Sequence, residues 1–138
     1  MKTDNTEEEI IKLFIAKNKQ ERILFELRNH KKRDSVFWRF AGPNQFKTDC
    51  LQPIGHMSCK ELEKLLFAHS GASDVYYIGT SYIGVLSLQQ AVRNVHMGEI
   101  CIVYCGNGFG YYQGEQEYGA PPRFLLVSST GDGSAVPL

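Results

Sequence analysis

The stretch from Ser58 to Cys105 constrains the fold more than any other part of the chain, because helix starts and buried-strand patterns alternate through it. Ser58 with Glu61, and Ser87 with Gln90, fit the capping-box spacing. In that motif a short side chain accepts from the amide three residues on, and the residue there reaches back. The spacing predicts a helix over 59–69 with Leu62, Leu65 and Leu66 inward and Gly71 as its left-handed stop. A second helix over 88–96 turns Leu88, Ala91 and Val92 inward and stops at Gly98. Strands are expected over 75–80, with Tyr76 and Ile78 on one face, and over 99–105. Alternation of this kind favours adjacent parallel strands joined by crossovers.

Upstream, Thr6 with Glu9 and Asn18 with Glu21 suggest helix starts, giving helices over 7–17 and 19–28 that are continuous or separate. Residues 35–40 read as a strand with Val36, Trp38 and Phe40 on one side and Phe37 and Arg39 on the other. Residues 41–56 look irregular, and 106–119 form a loop rich in glycine and tyrosine. A last strand over 123–128 returns antiparallel, and the Gly/Ser-rich tail over 129–138 is expected to be disordered. With 138 residues, the expectation is a single α/β (or α+β) domain over 1–128. It would hold a small mixed β-sheet, with two N-terminal helices and the other helices packed on the sheet.

The formal net charge is zero, from fifteen basic and fifteen acidic residues, so charge alone indicates neither a nucleic acid nor an acidic membrane as partner. Glu7, Glu8 and Glu9 interrupt any apolar core a signal peptide would need. No run approaches the ~20 apolar residues of a membrane span. A cytoplasmic protein with its four cysteines as thiols is the resulting expectation.

Cysteine and histidine recur through the middle of the chain, so metal binding needs a test. Cys101 and Cys105 form the only close cysteine pair. On a strand, residues four apart share a face but lie roughly 13 Å apart, too far for two sulfurs at ~2.3 Å from one zinc. No metal or cofactor is expected. Thiol chemistry has two candidates, Cys59 in the first turn of a helix and Cys105 at a strand end, with His56 or His96 as a possible partner. The Gly106-Asn107-Gly108 start of a dinucleotide fingerprint breaks at Tyr111, where a third glycine belongs. With no Gly-Lys-Ser/Thr, Gly-x-Ser-x-Gly or His-Glu-x-x-His either, no catalytic residue is assigned.

The 106–119 loop carries Phe109, Tyr111, Tyr112 and Tyr118 beside Glu115 and Glu117. Tyrosine gives large rigid contact area with a hydrogen-bonding tip, which suits recognition. These six residues are the expected contact set for another protein. The function class this supports is a small non-enzymatic inhibitor, such as a bacterial immunity protein directed at a cognate toxin. The alternative is nucleic-acid binding through the basic cluster Arg28, His30, Lys31, Lys32 and Arg33 together with Arg39. A thiol enzyme built on Cys105 or Cys59 is the third reading.

Overall fold

The computed structural model describes residues 3–29, 31–115 and 122–128. Helix α1 (Thr3–Phe14) leads through a 3-10 turn to α2 (Gln20–Arg28) and α3 (Arg33–Arg39). Then follow β1 (Leu51–Pro53), α4 (Cys59–Ser70), β2 (Asp74–Gly79), β3 (Ile83–Ser87) and α5 (Leu88–His96). The chain closes with β4 (Cys101–Gly106), β5 (Phe109–Gln113) and β6 (Arg123–Val127). These strands make one sheet in the order β1-β6-β5-β4-β2-β3.

Period-two alternation divides the sheet side chains between two cores. Tyr76, Ile78, Ile102, Tyr104, Tyr112 and Leu126 face α1, α2 and α3. Val75, Tyr77, Cys101, Val103, Cys105 and Tyr111 face α4 and α5. The result is an α/β domain of three layers, with the sheet in the middle. Two glutamates of the charged N-terminal run fasten α1 to the sheet, since the Tyr76 and Tyr104 hydroxyls donate to the Glu7 and Glu9 carboxylates.

The α/β class and the helices on the sheet agree with the sequence, but the strand directions need correction. Every strand pair in the described sheet is antiparallel. The chain turns back directly from β2 into β3, with the Gly79 amide donating to the Tyr82 carbonyl at 2.9 Å. Because β3 and β4 both run against β2, they are parallel to each other and joined through α5, with β2 between them. The alternation therefore marked a real crossover, but one that spans an intervening strand.

Three local readings also change. Residues 35–40 belong to helix α3 and its C-terminal cap rather than a strand. Thr6 lies inside α1 instead of capping it, and Asn18 sits in the 3-10 turn before α2. Residues 106–113 form a tight β4–β5 hairpin, not a loop. Asn107 and Gly108 turn it with φ of 53° and 75°, the left-handed pair that a two-residue hairpin requires. By contrast, the capping box at Ser58 and Glu61 forms in full, and Ser87 accepts from the Gln90 amide. The tail over 129–138 lies outside the described residues.

Candidate functional site

The hairpin moves three of the six residues of the expected contact set into the interior. Phe109, Tyr111 and Tyr112 retain only 2%, 1% and 0% of their surface. The Tyr112 ring lies between Phe46 and Phe124, with centroids 4.4 and 6.0 Å away, and its hydroxyl donates to the Phe40 carbonyl. Tyr112 belongs to the core under α1, α2 and α3, Phe109 and Tyr111 to the core under α4 and α5, and such buried rings have no surface to offer a partner. Glu115 is exposed, while Glu117 and Tyr118 lie outside the described residues.

The thiols are equally enclosed. Cys50, Cys101 and Cys105 are buried and Cys59 is half-buried. Burial pushes the Cys101 and Cys105 thiols up to about 12, well above the ordinary range, so neither holds a thiolate near neutrality. Burial and the raised thiol pKa both disfavour Cys105 as a nucleophile. Iodoacetamide at pH 8 should label Cys59 at least about tenfold faster than the three buried thiols. Equal labelling of all four under native conditions, followed by peptide mapping, would contradict their burial. No group of three or more His, Cys, Asp or Glu residues among those described is arranged to hold a metal ion.

The basic cluster is largely committed within the fold. Arg28 pairs with Glu8 at 3.4 Å, and the Arg33 Nε donates to the Leu27 carbonyl at 2.8 Å. Arg39 grips Glu26 with two hydrogen bonds, at 2.7 and 2.9 Å. Lys31 and Lys32 are exposed, and His30 lies outside the described residues. Two lysines make a weak electrostatic footprint for a nucleic acid. Among the described residues, no helix is long and apolar enough to cross a membrane.

A different surface stands out. Val36, Phe37 and Phe40 are buried, and at 3.6 residues per turn they occupy one side of α3 and its cap. Trp38 then points to the opposite side, and 77% of it is exposed. It borders a cleft of about 350 Å³ lined also by Asp34, Phe37, Thr80, Ile100 and Glu115. Four separate parts of the chain meet there: α3, the end of β2, the approach to β4 and the exit of β5. The last of these is pinned, because the Glu115 amide donates to the Ala41 carbonyl at 2.8 Å. Gly114 permits that approach, since a Cβ there would lie 2.5 Å from the same carbonyl oxygen. Asp34 and Glu115 are exposed carboxylates with no ion pair among the described residues. The cleft therefore combines an indole face, an apolar floor and two acidic groups. No protein-family profile matches the chain, and no curated protein or solved structure is significantly similar to it.

The sequence reading missed this site because it assigned residues 35–40 to a strand, which put Trp38 in the core. Asp34 in the first turn and Arg39 in the last turn of α3 were the available helix signals. Among the described residues, Glu115 is the single one common to the expected contact set and the observed cleft.

Proposed function

We propose that this chain is a non-enzymatic protein-binding domain that inhibits its partner. Trp38 is the anchor, and the adjoining cleft receives a lysine or arginine side chain of the partner. The observation that carries this reading is the 77% exposure of Trp38 beside two exposed carboxylates. Tryptophan is the residue most enriched among binding hot spots, and an indole flanked by acidic groups is suited to an organic cation. The complementary charge favours a partner with a basic surface. An immunity protein that covers the basic active cleft of a co-produced toxin is one protein of this kind, and the burial of three of the four thiols leaves the enzyme reading with little support.

Trp38 is the only tryptophan in the chain, so its fluorescence reports directly on the proposed contact. The tagged chain should be co-expressed with the products of its neighbouring genes, and any complex titrated by that fluorescence. Trp38→Ala, followed by calorimetry in place of fluorescence, should weaken binding about tenfold or more. Asp34→Asn with Glu115→Gln should weaken it further at low salt than at high salt. A complex whose affinity is the same in all these variants would place the interface elsewhere.

A further inference from the structure

A second pocket, more enclosed than the Trp38 cleft, lies on the other side of the sheet, at the open ends of α5 and β5. It has a volume of about 120 Å³, several times what a single water molecule needs. Its floor is built by a chain of hydrogen bonds. The Tyr111 hydroxyl donates to the Gln113 Oε1 at 3.0 Å, and the Gln113 Nε2 donates to the carbonyls of Val95 and Glu99, each at 3.0 Å. Both residues are 1% exposed, so the floor is fixed.

The walls carry one guanidinium and two imidazole rings. Arg123 pairs with Gln113 in the β5–β6 ladder, and its guanidinium reaches the Tyr111 hydroxyl, where it offsets part of the effect of burial on that phenol. The Arg123 carbonyl accepts from the Ile54 amide at 3.0 Å, which brings the following His56 over the pocket. His96, at the end of α5, faces His56 with ring centroids 6.1 Å apart. Neither imidazole makes a hydrogen bond among the described residues. Among the described residues no carboxylate lines the pocket, although Glu61 lies close enough to His56 to feel its charge. One permanent cation, two imidazoles and a rigid polar floor form an arrangement that the fold itself does not require. Arg123 presents several donors in a fixed plane, which suits an anion with several oxygens.

We propose that this pocket binds a small tetrahedral oxyanion, either a free inorganic anion or the phosphate group of a small molecule, held by Arg123, His56 and His96. It is independent of the Trp38 cleft, which lies against the opposite core.

Titration of the full chain with inorganic phosphate, sulfate and acetate at constant ionic strength tests it, read from the imidazole resonances of His56 and His96. Saturable shifts with phosphate and sulfate, at least fivefold tighter than with acetate, are the expected result. Methyl phosphate binding as well as inorganic phosphate would indicate the phosphate group of a larger molecule, and exclusion of methyl phosphate a free anion. Arg123→Gln should weaken binding at least tenfold. If that variant does not fold, His56→Gln with His96→Gln, two exposed positions, serves instead with calorimetry as the readout. Shifts that rise linearly without saturating, equal affinity for acetate, or unchanged binding in a folded variant would overturn the proposal.

Discussion

Replacing Tyr112 with alanine should lower the stability of the fold by about 4 kcal/mol, close to the cost of truncating other fully buried aromatic rings. Tyr112 has no exposed surface, touches the rings of Phe46 and Phe124, and donates to the Phe40 carbonyl at 2.5 Å. Truncation removes the ring from the junction between β5 and the segment after α3, and it strands a carbonyl whose bonding partner has gone. Domains of this size typically have about 5–15 kcal/mol of stability, so the variant would sit near its folding limit. Tyr112→Phe keeps the ring and should cost about 1 kcal/mol, the net worth of one hydrogen bond. Trp38→Ala provides the contrast, since an exposed side chain should change stability by less than about 0.5 kcal/mol. Urea unfolding of the three variants decides the matter. A stable Tyr112→Ala protein would place that ring at the surface rather than in the core.

The two outcomes for Tyr112 and Trp38 show where the sequence was legible. Two of the four capping signals place their helices closely: α4 begins after Ser58 and ends at Gly71 with φ of 68°, and α5 spans the same residues that its cap and apolar stripe mark, whereas Thr6 and Asn18 mark no helix start. The alternation in 75–78 and 101–105 also assigned the sheet faces correctly, because a side-chain period of two leaves only one arrangement once a face is buried. Elements decided by tertiary packing were not placed. Val36-Phe37-Trp38-Arg39-Phe40 is rich in strand-favouring residues, yet docking of Val36, Phe37 and Phe40 against α2 and the sheet makes it helical, which turned Trp38 outward. The Asn107-Gly108 pair is a strong two-residue hairpin signal, but the glycines around it read equally well as a loop. Gly110 exists because β5 runs close to β4, where a Cβ would meet the Val103 carbonyl oxygen at 2.4 Å. That constraint is invisible until the strands are paired. The Trp38 cleft and the Arg123 pocket were illegible for the same reason, since each gathers residues from several distant segments.

Arg39→Met should lower stability by about 2 kcal/mol at neutral pH, and the difference from the unmodified chain should shrink as the solution is acidified. Glu26 is buried on α2, and Arg39 from α3 satisfies both its oxygens, with Arg22 a more distant second partner at 3.6 Å. Removing one member of a buried pair leaves the other charge uncompensated, which costs about 3–5 kcal/mol in a fully enclosed site. Arg39 is 28% exposed and Arg22 remains, so a smaller figure applies here. The hydrogen bonds from Arg39 hold the Glu26 carboxyl below the ordinary carboxylate range, against the opposing effect of burial. A group whose folded pKa is depressed binds fewer protons in the native state than in the unfolded one. Its stabilising contribution is complete above the unfolded pKa and is lost as pH falls through the folded one. The methionine variant lacks most of that contribution at any pH, so the two urea midpoints should converge as pH falls from the ordinary glutamate range through the lowered folded pKa. A gap that stays constant across that window would show that Arg39 acts through packing alone. The same variant separates structure from recognition. If the guanidinium is committed to Glu26, its loss should leave retention on a polyanion column unchanged while the α2–α3 pair that presents Trp38 becomes easier to unfold.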